Sequence, residues 1–271
     1  MGAGFSLIGI NLTPNYHKFY TVLHLKKLPL GGQGGFRENM VTNKIISPTK
    51  ANRLYWLGRY EERVYLTLHL LRKCYDKMID GDSADYDTFW QKLDITNSYQ
   101  TEEAFISGMM YDAQNPSSII SAQLRAQDNA ILLREDIMSE TLSYIEMAVA
   151  LMRRLSSEPT LNILALQPVT DWALAFWGSV QQRVFNRKAR MLMYLGREVE
   201  NMDFLLRFNY PMERILFSYD LIRKHLLDFP EFCDRNILSN IDDILLGEKF
   251  AAEAGDVRLV LMKYFTQLVT V

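Results

Sequence analysis

One ten-residue pattern occurs twice in this chain. Leu54-Tyr55-Trp56-Leu57-Gly58-Arg59-Tyr60-Glu61-Glu62-Arg63 returns 138 residues later as Leu192-Met193-Tyr194-Leu195-Gly196-Arg197-Glu198-Val199-Glu200-Asn201. Both copies read aromatic, Leu, Gly, Arg, any, any, Glu. The echo continues with Leu66 against Phe204 and Leu68 against Leu206. An internal repeat constrains architecture before any local signal does. Here it implies two related helical halves, each with an Arg–Glu pair at the same place.

The spacing of apolar residues makes both halves helical. From Pro48 onward Leu54, Leu57, Val64, Leu68, Leu71 and Met78 recur at steps of three and four. Ser47 reads as a cap and Pro48 as a first-turn residue. That helix is expected to run to about Ile79, where Asp80-Gly81-Asp82 breaks it. Shorter helices are expected near Tyr86–Leu93 and Thr101–Tyr111, then a long one from Ala122 to about Leu155. Leu161–Phe176 reads as helix with a break at Pro168. The second repeat is expected on a helix from about Val180 to Asn209. Met212–Leu227, Arg235–Leu246 and a terminal helix after Gly247 complete the reading. No strand-like alternation interrupts it, so the expectation is an all-α bundle of roughly seven to nine helices.

On its helix each repeat makes a defined face. Tyr55, Gly58, Arg59, Leu66 and His69 share the side of Glu62; Met193, Gly196, Arg197, Phe204 and Arg207 share that of Glu200. A glutamate among large apolar residues loses water and needs a partner. Arginine three positions earlier can supply one. Glycine inside a helix costs about 1 kcal/mol relative to alanine, so its place in both copies argues for close approach by another helix. Two readings follow. Either glycine lets helices touch and Arg–Glu ties the junction, or both pairs line one polar cleft.

Composition limits what such a bundle does. The 271 residues carry a net charge of −2. Residues 1–39 hold Lys18, Lys26, Lys27 and Arg37 against Glu38, which leaves the remainder acidic. With no basic stripe, nucleic acid is not the expected partner. No apolar run approaches the roughly 20 residues of a membrane span, so no membrane association is expected. Cys74 and Cys233 are the two cysteines, a count that favours a reducing, cytoplasmic setting. Residues 1–39 contain Gly31-Gly32-Gln33-Gly34-Gly35 and no sustained periodicity. They read as a poorly ordered tail or a start called too early, with Met40 as the true beginning. The Met1–Ser6 stretch also fits a myristoylation pattern that often matches by chance. Residues 40–271 read as one helical domain.

Between the repeats, Arg125-Ala126-Gln127-Asp128-Asn129-Ala130 leads to Arg134-Glu135. Asp128-Asn129 is a poor choice for a helix interior, which raises the chance of a specific polar role. Neither His69 nor His225 has the Glu-x-x-His spacing of di-iron bundles. HExxH, P-loop, GxGxxG and GxSxG patterns are absent from the sequence. No metal and no cofactor is expected. Glu62, Glu200 and His69 are the candidates for acid–base chemistry; Arg59, Arg197, Asp128, Asn129 and Arg134 are the candidates for ligand binding.

The segment Ala51–Arg63 resembles the opening signature of the bacterial alpha-E domain family. Ala126-Gln127-Asp128-Asn129-Ala130 with Arg134-Glu135 is similar to that family's central Ala-Arg-Glu-Asn-Ala-Arg-x-x-Arg-Glu segment. Leu195–Glu200 resembles its second Gly-Arg-x-x-Glu motif. The resemblance covers roughly residues 45 to 255. The chain departs from the pattern at Gln127 and Ile131, which stand where the family usually has Arg, at Asp128 for Glu, and at Asn201 where Arg is frequent. It looks like a divergent member.

The resemblance implies an all-α domain of uncharacterised biochemistry. Its relatives are encoded beside, or fused to, circularly permuted ATP-grasp proteins and transglutaminase-like proteases. An ATP-grasp ligase and a transglutaminase-like protein are therefore the implied partners, in a system that forms, modifies and cleaves peptide or amide bonds. Three roles stay open: an accessory or scaffold protein of that system, an enzyme acting on a small peptide or amino-acid conjugate in a cleft lined by paired Arg–Glu, and a purely structural homo-oligomer.

Overall fold

The computed structural model describes residues 46–80, 85–96, 98–158, 161–247 and 254–271. All lie in Met40–Val271, one of the two units into which the chain divides. The expectations about residues 1–39, the myristoylation pattern and Met40 as start fall outside the described residues.

The fold is all-α. Its helices are α1 (Pro48–Ile79), α2 (Asp85–Lys92), α3 (Glu102–Tyr111), α4 (Ile119–Leu132), α5 (Arg134–Ile137), α6 (Ser139–Leu155), α7 (Gln167–Arg183), α8 (Arg187–Arg207), α9 (Met212–Asp228), α10 (Arg235–Leu245) and α11 (Ala254–Gln267). Two 3-10 turns, Ile163–Leu166 and Pro230–Phe232, join them. Among the described residues no strand forms, and one isolated bridge links Cys233 to Val269.

Local chemistry sets many of the boundaries. Ser47 Oγ accepts from the Lys50 amide ahead of Pro48, so α1 starts where the sequence placed it. Thr101, Ser118, Asn186 and Asp234 cap α3, α4, α8 and α10 through their side chains. Two long helices expected from the sequence are broken. The Ala122–Leu155 stretch divides at Leu133 and again at Met138, whose φ of 69° cannot continue a helix. The Val180–Asn209 stretch divides at Val184–Asn186, where Asn186 turns the chain into α8. Pro168 opens α7 rather than breaking it, because a first-turn proline has no amide bond to lose.

The 32-residue α1 is the axis of the bundle, with α8 packed most extensively against it and α4 next. Its length divides between two apolar cores. Ala51, Leu54, Tyr55 and Leu57 belong to a core shared with α7 to α11. Val64, Leu68, Leu71 and Cys74 belong to a second, with Phe89, Phe105, Ile106 and Met109. The charged part of the repeat, Arg59 to Arg63, lies between them. A polar belt therefore crosses the molecule at the level where α1 and α8 meet.

Candidate functional site

The two copies of the repeat pack against each other. A Cβ on Gly58 would collide with the carbonyl of Met193, and a Cβ on Gly196 with the carbonyl of Tyr55 and the amide of Arg59. Each glycine thus admits the backbone of the helix that carries the other copy. The close approach read from the sequence is real, and both partners come from the repeat.

The ion pairs are exchanged as well. The sequence suggested Arg59 with Glu62 and Arg197 with Glu200, three residues apart on one helix. Instead Arg59 Nε donates to Glu200 Oε2 at 2.7 Å, and Arg197 Nε donates to Glu62 Oε2 at 3.2 Å. The correction has a simple cause. The glycines bring the helices so close that each arginine meets the carboxylate across the crossing.

The two ends of the crossing differ. Glu200 accepts from two guanidinium groups, because Arg63 adds Nε to Oε1 at 2.6 Å and Nη2 to Oε2 at 3.1 Å. Arg59 and Glu200 are nearly sealed, with side-chain exposures of 9% and 7%. Burial alone would push the Glu200 carboxyl up; Arg63 and Arg59 outweigh it and hold the group below the ordinary carboxylate range. Glu62 is as buried, at 7%, but Arg197 is its one ion-pair partner among the described residues and is 34% exposed. Burial pushes Glu62 up to about 7; Arg197 offsets this in part, while Glu198 and Glu200 add to it. Both arginines of the repeat also lie over tryptophan rings at 4.9 Å, Arg59 on Trp56 and Arg197 on Trp177.

A third buried carboxylate belongs to the same belt. Glu61 faces α4, where Gln123 Nε2 donates to its Oε1 at 2.9 Å. Burial pushes Glu61 up to about 8, with that hydrogen bond opposing and the Glu62 charge reinforcing. Gln123 Oε1 finds no donor among the described residues. A protonated Glu61 supplies one, since an acid and an amide can then exchange two hydrogen bonds.

Each end of the crossing opens on a pocket. One, of about 210 Å³, is lined by Glu200, Arg63, Asp203 and Arg207 with Ser117. The other, of about 310 Å³, is lined by Glu62, Arg197, His69, Lys73 and Arg214 with Tyr65, Glu198 and Asn201. Leu66 and Phe204 line both. His69 stacks on Tyr65 with ring centroids 6.5 Å apart. Burial lowers its pKa, and Lys73 and Arg72 lower it further. An imidazole whose pKa is lowered and a carboxyl raised to about 7 thus line the same, larger pocket, two groups of the kind that acid–base chemistry uses.

Glu62, Glu200, His69, Arg59 and Arg197 therefore gather at the crossing. Asp128, Asn129 and Arg134 line neither pocket there. Asp128 and Arg134 are exposed. Asn129 accepts from Arg53 Nη1 at 3.2 Å, and Arg134 Nε donates to Ser139 Oγ at 2.9 Å. The Arg53–Asn129 bond and the Lys50–Asp136 ion pair at 2.9 Å tie the beginning of α1 to α4 and α5, while Arg134–Ser139 joins α5 to α6. Residues absent from the sequence-derived site are Arg63, Glu61, Gln123, Lys73, Asn201 and Arg214. Arg63 and Asn201 carried a visible signal, because they occupy matching places in the two copies and differ in charge. Gln123 carried none, since only the packing of α4 brings it to Glu61.

No curated protein and no solved structure matches the chain. Residues 47–215 match a family model, Alpha-E, described as a predicted alpha-helical domain with a conserved ER motif. Two Glu-Arg dipeptides fall in that span, Glu62-Arg63 at the crossing and Glu213-Arg214 at the start of α9, and Arg214 borders the Glu62 pocket. With more than half of its length matched, the chain belongs to the Alpha-E family.

Proposed function

We propose that the protein is a non-catalytic accessory or scaffold component of a bacterial system that forms peptide or amide bonds. It offers its helical surface to an ATP-grasp ligase and a transglutaminase-like protein. The observation that carries this reading is the exchange of charges across the crossing. Arg59, Arg63 and Glu200 spend their charges on one another in a nearly sealed brace. Such a brace fixes helices and leaves those groups little freedom for turnover. The identity of the partners rests on the family resemblance.

Co-purification with the ATP-grasp ligase, followed by an ATP-dependent amide-ligation assay, tests the proposal. The expected result is a complex whose ligation activity persists with Glu62→Gln. Absence of any complex rejects it.

One observation favours a second reading, an enzyme acting on a small peptide or amino-acid conjugate. The pocket of about 310 Å³ holds Glu62, His69 and Arg197 together, and Glu62 is pushed up to about 7, close to the value a general base needs. Under this reading Glu62→Gln abolishes product formation while the complex and the fold survive.

A further inference from the structure

The crossing is its own reference for what belongs in the Glu62 pocket. Gly58 and Gly196 exchange places across it, Arg59 and Arg197 exchange carboxylates, and Leu66 and Phe204 line both pockets. In this near-symmetry Arg63 corresponds to Asn201. Arg63 places a forked guanidinium on Glu200. Asn201 is too short to do the same for Glu62, and its amide turns instead to Ser218 Oγ at 3.4 Å. As a result Glu200 accepts three hydrogen bonds from guanidinium groups and Glu62 accepts one. None of the described residues donates to Glu62 Oε1. Glu62 and Asn201 both line a cavity of about 310 Å³, within the range of small-ligand clefts.

We infer that the Glu62 pocket receives the guanidinium of an arginine, free or at a peptide C-terminus, in the place that Arg63 holds at Glu200. Forked N–H donors match a carboxylate with two bonds, which gives direction as well as affinity. The lining accounts for the other end of the ligand. Lys73 and Arg214 stand in the same pocket and suit the α-carboxylate of such an arginine. They oppose a ligand that carries cations alone. Glu198, also in the lining, adds a second acceptor near Glu62. This assignment rests on the second reading above and names its ligand class.

Isothermal titration of the full chain with L-arginine, agmatine, L-citrulline, L-glutamate and dialanine tests it. L-arginine is expected to bind at least tenfold more tightly than L-citrulline, which keeps the shape and loses the charge. Agmatine, without the carboxylate, falls between them. Asn201→Arg supplies the missing guanidinium from the protein itself and is expected to weaken L-arginine binding at least tenfold. Asp128→Ala, at an exposed position outside both pockets, retains binding, and far-UV circular dichroism verifies that both variants are folded. Equal binding of L-citrulline, or undiminished binding of L-arginine by a folded Asn201→Arg, overturns the inference. Binding of dialanine or L-glutamate without L-arginine also overturns it but leaves the pocket reading standing. No binding by any of the five removes both.

Discussion

At one end of the α1–α8 crossing a carboxylate lies between two guanidinium groups; at the other an equally buried carboxylate has one, and that one is a third exposed. The backbone geometry is shared, since glycine meets a carbonyl at both ends. The copies differ at Arg63, where the other has Asn201, and at Tyr60, where the other has Glu198, a charge that adds to the rise of Glu62. With the second arginine, Glu200 stays ionised beside a pocket of about 210 Å³. Without it, Glu62 rises to about 7 beside a larger pocket of about 310 Å³. A repeated motif can thus make a structural brace in one copy and a titratable site in the other.

The comparison breaks most severely at the glycines. Gly58→Ala and Gly196→Ala each drive a Cβ into backbone, where no side chain can yield. Each is expected to cost more than about 4 kcal/mol despite alanine's better helix propensity. Chemical denaturation should give the two similar losses, since this feature is shared. A mild, unequal pair of effects would show that the helices are not held by reciprocal contact.

The charges should then separate the two ends. Glu200→Gln leaves Arg59 and Arg63 without their carboxylate and is expected to cost about 3–5 kcal/mol. Glu62→Gln strands only the partly exposed Arg197 and should cost about 1 kcal/mol or less. Comparable denaturation midpoints for these two variants would contradict the asymmetry.

The pH dependence of stability carries the same distinction with opposite signs. Glu200 is depressed below its ordinary value of 4.5, so its contribution is present above that pH and lost as pH falls through the depressed value. Glu62 and Glu61 are raised to about 7 and about 8. Their contribution is present below 4.5 and is lost as pH rises through those values. Stability measured from pH 3 to 9 should peak near pH 4.5, where both contributions are present, and fall on either side. Glu200→Gln should flatten the acid limb, and Glu62→Gln the alkaline one.

The smallest expected change is at Glu61. Glu61→Gln removes a group that the fold keeps protonated and should alter stability by less than about 1 kcal/mol near pH 5, with a relative gain above pH 8. A large loss near pH 5 would mean that Glu61 is ionised and paired in the folded protein.

The parts of this arrangement that depend on local chemistry were legible in the sequence. Periodicity marked α1, Ser47 and Pro48 marked its start, and the duplicated glycines announced a close approach. What could not be read was which helix approached. Spacing along one helix made Arg59–Glu62 the natural pair, and only the packing of α8 on α1 shows that Glu200 is the nearer acceptor. The break at Met138 was likewise hidden, because its left-handed backbone has no signature in a methionine. The larger pocket depends on side chains from α1 and, far along the chain, from α8 and the start of α9. The resemblance to the family could point to the motif but not to the exchange of its charges.

The reciprocity of the crossing also sets a timetable for synthesis. Gly58 is covered by Met193, and Glu62 is paired with Arg197, more than 130 residues later. At about 5–20 residues per second a ribosome needs roughly 7–27 s to make that much chain. Throughout that interval the grooved face of α1 has no partner from its own chain. The nascent protein must shield it by provisional packing, or by a chaperone, until α8 emerges.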